Sequence, residues 1–393
     1  MRTAPAFSSR HLDRLGDRLT ADVDSGAIAG ADMLVGGADG AIWRRTVGYR
    51  DRVAHAPLGP DALWRIYSMT KVVVSAATMV LAERGALRLD QPVAAFIPAF
   101  EHLSVLDPDG GLRPARARPT VQDLLRHTAG IAYGYLGDGP ARRAYAADGL
   151  LAEDLDNAAF ADRIARLPLE HEPGTVWHYS HATDVLGRVL EISGGADLQR
   201  VLDATVLEPL GMADTLFQTS AAMGSRVAQP LPQAPGQRPV FHDPAQPRRG
   251  QRGNGGLVSS TADCARFLRM LLAGGSLDGA RVLAPASVRL MTSDHLGAAI
   301  AKAAYYPPGP GYGFGLGVAV RLAVGEAPFP GNVGDWFWSG VGGTYFWVDP
   351  VEGFFALLMM QTSSADQRQH YRTLTRTMVY AALEDRRLSE TSP

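Results

Sequence analysis

Apolar residues return at helical spacing almost at once. Leu12, Leu15, Leu19 and Val23 fall on one face of a segment from about residue 8 to 25, and intervals of three and four residues predict an amphipathic helix. The period then changes. Two runs rich in Val, Ile, Trp and Tyr, ADMLVGG and AIWRRTVGYR, flank Ala38, Asp39 and Gly40. β-Branched and aromatic residues on either side of an Asp-Gly pair predict a hairpin. A third pattern, WRIYSMTKVVVSAATMVLAERG, predicts a helix beginning near Ser68 and stopped by Gly85.

From about residue 90 to 250 strand signal is sparse. TVQDLLRHTAG, DLDNAAFADRIARL, SHATDVLGRVLEISGG and QRVLDATVLEPLGM are short helical patterns punctuated by Pro and Gly, and the polar run PLPQAPGQRPVFHDPAQPRRGQRG leads out of them. The last third returns to strands: FGLGVAV, DWFWSGVGGTYFWVDP and GFFALLMMQ suit antiparallel pairing, and a helical pattern follows from roughly 366 to 386. This order predicts an α+β fold. Its economical packing is a five-stranded antiparallel sheet built from both ends of the chain and flanked by helices, beside a mostly helical region. The expected division is a discontinuous sheet domain, 1–89 with 251–393, and a helical domain, 90–250.

Length agrees with two packed regions, since 393 residues exceed the size at which a single core usually stops growing. With 46% hydrophobic and 20% charged residues the composition is that of an ordinary globular protein. A formal net charge of -2 gives no electrostatic case for nucleic acid or an anionic membrane as partner. No segment reaches about 18 uninterrupted apolar residues, so no membrane span is expected. MRTAPAFSSRHLDRLGDRL lacks the apolar stretch of a signal peptide, and the expected compartment is cytoplasmic. The single cysteine, Cys264, rules out an internal disulfide; Ala262, Phe267, Leu268 and Leu271 around it mark a packing position. No Cys/His group has metal-ligand spacing.

The candidate chemistry lies in SMTK. Of 38 basic residues only Lys71 and Lys302 are lysines, and Lys71 follows Ser68 by three positions, one helical turn. The two side chains then share a face. A serine hydroxyl is a poor nucleophile until a base takes its proton. A lysine serves only with its pKa lowered, and Ile66, Val72, Val73, Val74 and Met79 offer the apolar surroundings that lower it. On spacing alone, a helix cap followed by a surface lysine accounts for the pair as well.

The company of that pair adds to the reading. SMTK resembles the S-x-x-K motif of the serine β-lactamase and penicillin-binding-protein superfamily, in particular the class C branch and the related family VIII carboxylesterases. The resemblance runs through TVQDLLRHTAG, EPGTVWHYSHATDVLG, EPLGMADT, GNGGLVSSTADCARF, GYGFGLG and WSGVGGTYFWVDP, in the order the family shows them. It implies a sheet-plus-helical-domain fold with the active site between the two. By this resemblance Ser68 is the acylated nucleophile, Lys71 its activating partner and Tyr179 the tyrosine of a Y-x-N motif that helps move the proton. Trp338, Ser339 and Gly340 match the Lys-Thr-Gly or His-x-Gly motif and, with Tyr133 and His181, are the implied substrate contacts, and the N-H groups of Ser68 and Val341 match the oxyanion donors. Taken alone, Tyr179 beside Trp177 reads equally as core packing, and the glycines as relief of crowding.

Two departures from the pattern bear on substrate. Trp338 replaces a carboxylate-recognising cation with a large apolar wall, and His181 replaces the asparagine of Y-x-N. Tyr133 falls where the family presents an aromatic to the pocket. The implied activity is hydrolysis of neutral esters, short- to medium-chain or bulky and apolar, through an acyl-Ser68 intermediate, with no metal, cofactor or obligate protein partner. The alternatives are a β-lactamase or D-amino-acid peptidase, an acyltransferase, or a non-enzymatic penicillin-recognition protein. The absence of G-x-S-x-G excludes the usual α/β-hydrolase elbow.

Overall fold

The strand runs from the two ends of the chain meet in one sheet. In the computed structural model, which describes residues 5–107, 109–151, 154–232 and 241–384, β1 (Gly30–Gly37), β2 (Gly40–Asp51) and β3 (Ala56–Pro57) join β4 (Tyr312–Phe314), β5 (Ala319–Arg321), β6 (Trp336–Ser339), β7 (Tyr345–Asp349) and β8 (Phe354–Met360). The spatial order is β4-β5-β6-β7-β8-β1-β2-β3, antiparallel throughout. The seam between the chain's ends is the β1–β8 ladder, from Ala31 opposite Met360 to Gly37 opposite Phe354. Both of its strands are buried at every position, so they read as continuous small and apolar runs rather than as alternation.

The antiparallel sheet flanked by helices agrees with the sequence, but it has eight strands rather than five. DWFWSGVGGTYFWVDP breaks after Ser339 into β6 and β7, because the glycines of GVGG turn the chain there. FGLGVAV likewise feeds both β4 and β5. The two-residue β3 is too short to leave a period. Glycine is required where β1 and β2 cross closely: Gly48 has φ +84, and a Cβ on it would stand 2.6 Å from the Ala29 carbonyl oxygen.

The Ser9–Asp24 helix buries Leu12, Leu15, Leu19 and Val23 and packs against β2 and the Ala365–Ala382 helix. The Thr261–Leu272 helix lies on β1 and β8. The Thr70–Glu83 helix is buried continuously from Thr70 to Leu81, as expected of a helix apolar nearly all round. Its neighbours include the Ala182–Gly194 and Leu198–Leu202 helices.

Between the two groups of sheet strands the chain is largely helical, with Pro140–Asp148 and Asn157–Ala165 completing the set. Side chains of Thr120, Asp156, Asp197 and Ser260 cap helix starts by accepting backbone N-H bonds. Asp203–Leu207 forms a π turn before Pro209, where the proline ring and its missing N-H disturb the normal ladder. Among the described residues no helix is long and apolar enough to cross a membrane. Part of the proline-rich run, residues 233–240, lies outside the described residues.

The sheet is locked to the last helix by a buried charge cluster. Arg321 and Arg376 meet Asp335 at 2.7 and 2.5 Å, with all three side chains fully buried, and the Tyr312 hydroxyl donates to the same carboxylate at 3.1 Å. Removing that one anion strands two guanidinium groups. Asp335→Asn should therefore cost about 3–5 kcal/mol of stability, read as a lowered urea midpoint. Arg18→Ala, which breaks the exposed Arg18–Asp22 pair, should leave the midpoint nearly unchanged.

Candidate active site

Ser68 sits in a single 3-10 turn, Tyr67–Met69, that leads into the Thr70–Glu83 helix. The entry is tight. Tyr67 has φ +43, a left-handed conformation uncommon for a residue with a side chain. Its ring packs edge-on against Phe241 and His242, and a Cβ on Gly342 would come within 2.5 Å of it. One turn on, the Lys71 ammonium nitrogen lies 3.3 Å from Ser68 Oγ and donates to the Asn254 carbonyl oxygen at 2.7 Å.

Tyr179 arrives from 111 residues away and donates its hydroxyl to Ser68 Oγ at 2.8 Å. It follows the short Val176–Trp177 strand, which pairs in parallel with Ala301–Lys302, and the His178 N-H bonds the His127 carbonyl at 2.9 Å. Trp177 stacks parallel to the Tyr179 ring at 6.1 Å between centroids. Lys71 Nζ stands 4.7 Å from the centre of the same ring. The serine oxygen thus lies between an amine and a phenol.

Burial sets the protonation of both. Lys71 is 1% exposed, and desolvation pushes its pKa down to about 7 while the distant charge of Asp184 opposes the shift in part. Desolvation moves Tyr179 the other way, far above the ordinary phenol value, with its bond to Ser68 opposing. At neutral pH the phenol therefore keeps its proton, and the amine is available in its neutral form. His127, buried with neither ring nitrogen hydrogen-bonded, lies edge-on to Tyr179 at 4.9 Å; burial and then Lys71 hold it well below the ordinary imidazole value.

The turn after β6 closes the other side. The Gly340 N-H donates to the Thr344 carbonyl at 2.8 Å, Gly343 N-H to the Gly340 carbonyl at 3.1 Å, and Thr362 N-H to the Gly342 carbonyl at 2.7 Å. Gly340 is required by proximity, since a Cβ there would collide with Thr344 Oγ1 and approach the Ile66 carbonyl oxygen to 2.6 Å. This close approach lays the turn beside the chain just before Ser68. Val341, 55% exposed, and Ser68 then line one cavity of about 770 Å³.

Tyr133 lines that cavity as well, with Tyr67, Tyr135, Leu151, Phe217 and Asn254. Four residues expected to touch substrate do not line it: His181, Trp338, Ser339 and Gly340. Trp338, 3% exposed, turns into an aromatic cluster with Tyr179 at 5.6 Å and Phe314 at 5.3 Å, where a large ring gains most from burial. It backs the phenol and is not a wall of the cavity. His181 is also buried, with Nδ1 2.8 Å from Asp184 Oδ2 and its ring 4.3 Å from Tyr133.

Asp184, in turn, accepts from the Asn254 backbone N-H at 3.1 Å and from its side-chain amide. Sequence reasoning does not single out Asn254 or Asp184. GNGGLVSSTADCARF contains Asn254 but offers no sign that its carbonyl faces Lys71, a contact made across 183 residues.

Elsewhere, ligand atoms of Glu170, His171 and His178 lie within 4.8 Å of one another, a grouping that sequence spacing hides. Arg142 Nε, however, meets both Glu170 carboxylate oxygens at 3.0 Å, so a guanidinium already supplies the positive charge there. Cys264 is buried as expected, its thiol pushed up to about 12 by burial.

The family model described as Beta-lactamase matches residues 15–377. Esterase EstB of Burkholderia gladioli is 32% identical over 375 residues, covering 90% of this chain and 91% of its own. Among solved structures, EstCE1, described as a hydrolase with promiscuous acyltransferase activity, superposes with a TM-score of 0.80 at 27% identity, covering 94% of this chain and 99% of its own. Simvastatin synthase (LovD) from Aspergillus terreus gives a TM-score of 0.77 at 25% identity, covering 94% and 97%.

The electrostatics of the site can be read directly, because the chain holds only two lysines. Selective ¹³C-lysine labelling should give two spin systems by NMR, assigned with Lys302→Arg. The Lys71 signal should lose its ammonium character as pH rises through about 7; a midpoint near 10 would remove the basis for a neutral amine at this serine.

Proposed function

This chain belongs to the beta-lactamase family, whose serine hydrolase and acyltransferase chemistry it shares, and we propose that within it the protein is a serine carboxylesterase for neutral esters. The observation that carries the reading is Ser68 Oγ held between Lys71 and the Tyr179 hydroxyl at the wall of a large, partly apolar cavity. Neutral Lys71 accepts the proton as Ser68 attacks the ester carbonyl. The Tyr179 hydroxyl relays a proton to the departing alkoxide. The N-H groups of Ser68 and Val341 hold the oxyanion, an interaction commonly worth about 3 kcal/mol per donor. Alcohol leaves, water attacks the acyl-serine, and the acid is released.

Support for a neutral ester comes from the apolar part of the lining, supplied by Tyr133, Leu151, Leu216, Phe217 and Val341. The similarity to EstB, an esterase, points the same way. A second reading, acyl transfer to an alcohol or amine in place of water, is favoured by a cavity of about 770 Å³, roomy enough for an acceptor beside the acyl group. The promiscuous acyltransferase activity ascribed to EstCE1 supports that second reading too. The same proposal divides the chain into a sheet domain, 1–89 with 251–393, and a helical domain, 90–250, with the site between them. A panel of p-nitrophenyl esters, a chromogenic cephalosporin and a D-Ala-D-Ala peptide separates ester, lactam and peptide chemistry, and added alcohol separates transfer from hydrolysis.

Three measurements follow from these roles. A fluorophosphonate should label Ser68, identified by peptide mass spectrometry; labelling elsewhere with Ser68 untouched rules out the nucleophile. Lys71→Ala and Tyr179→Phe should each lower kcat by about a hundredfold or more, with the double variant well short of the product because the groups act on one proton. Since the active lysine is the unprotonated one, kcat/KM should rise with pH through about 7 and be lost below it; a flat profile from pH 5 to 9 contradicts Lys71 as the base.

A further inference from the structure

Arg372 lies on the Ala365–Ala382 helix, outside the residues lining the cavity. Its guanidinium Nη2 donates to the Gly340 carbonyl oxygen at 3.1 Å. No carboxylate pairs with it among the described residues, its Nε is buried without a hydrogen-bond partner, and burial pushes its pKa down to about 10. The contrast with Arg321 and Arg376, both ion-paired with Asp335, is sharp. An unpaired guanidinium in a mostly dry setting is costly. The Arg372 guanidinium carbon stands 6.0 Å from the centre of the Tyr345 ring, and its hydrogen bond is to the Gly340–Val341 peptide unit.

The acceptor is the carbonyl of the same amide whose N-H belongs to Val341. In a trans peptide the C=O and N-H point in opposite directions. A donor fixed on Gly340 O from the helix side therefore turns the Val341 N-H away from the helix. The bond is charge-assisted, hence stronger than a neutral one, and drawing electron density toward the carbonyl makes the N-H a better donor through hydrogen-bond cooperativity. The Gly343 N-H donates to the same oxygen at 3.1 Å, but it is neutral and belongs to the turn itself. Arg372 is the one donor to this carbonyl, among the described residues, that comes from outside the turn.

We propose that Arg372 is a positioning residue of the oxyanion site, orienting and polarising the Gly340–Val341 peptide so that the Val341 N-H serves the developing oxyanion. This rests on the reading of Val341 as an oxyanion donor. It assigns a catalytic consequence to a side chain that itself touches neither substrate nor Ser68.

The test compares an oxo ester with the matched thionoester, whose larger and weaker-accepting sulfur makes poor use of an oxyanion site. Wild type should prefer the oxo ester; if it shows no preference, the oxyanion reading itself fails before any variant is made. Arg372→Gln and Arg372→Met, confirmed as folded by circular dichroism and stoichiometric fluorophosphonate labelling, should lose about tenfold or more in kcat, a part of the effect of deleting a donor outright. KM should change little, and the oxo-to-thiono ratio should fall; Arg372→Lys should lie between them and wild type. A folded neutral variant with unchanged kcat and ratio overturns the proposal. So does a loss confined to KM for carboxylate-bearing esters, which makes Arg372 a substrate ligand. If neither neutral variant folds, a wild-type ratio in Arg372→Lys assigns the residue to folding alone and overturns it equally.

Discussion

Lys71 is a cationic side chain placed where a cation is poorly solvated, and the site is organised around that fact. Its amine is fully enclosed, and the contact that best satisfies it is a backbone carbonyl, that of Asn254. A carboxylate in that place would restore the charge and hold the pKa high. Asp184, the carboxylate whose field reaches Lys71, is engaged instead by Asn254 and His181. The same apolar enclosure keeps the phenol of Tyr179 protonated. Burial alone thus gives the two groups complementary states at neutral pH, one able to take a proton and one able to give it.

The fold supplies that enclosure from parts far apart in sequence. The helix carrying Lys71, the segment carrying Tyr179, the loop carrying Asn254 and the turn carrying Val341 converge without a common element. What brings them together is close backbone approach: Gly340 against Ile66, Gly342 against the ring of Tyr67. The aromatic cluster of Trp177, Trp338 and Phe314 fills the space behind the phenol and fixes its ring. Trp338 thereby packs behind the phenol and stays out of the cavity lining.

This also marks how far the sequence can be read. Leu12, Leu15, Leu19 and Val23 declare their helix because its buried face repeats in a local period. The hairpin around Asp39-Gly40 is legible because a turn signal lies between two runs rich in β-forming residues. Ser68 and Lys71 are visible because three residues separate them, and Tyr179 through its resemblance to a known motif. The break of DWFWSGVGGTYFWVDP into two strands stays hidden, because strand-like residues flank the glycines on both sides. So does the direction in which Trp338 and His181 point. Which face of a strand or helix meets a cavity depends on packing against distant elements, and neither composition nor period carries that information. Asn254 and Arg372 share this invisibility: each acts through a backbone carbonyl contact more than 30 residues away in sequence.

The β1–β8 seam has a consequence for the nascent chain. β1 is complete once residue 37 has been made, yet its partner begins at Phe354. At about 5–20 residues per second on the ribosome, that strand waits roughly 15 to 60 seconds for the neighbour that covers one of its edges. Through that interval β2 can shield one side, and the other presents unpaired N-H and C=O groups on a strand without a charge apart from Asp32. Such an edge is a template for pairing with another chain. Asp32 is the one charged group on that strand, met by Arg44 within the hairpin and by Thr261 only once the chain has reached residue 261.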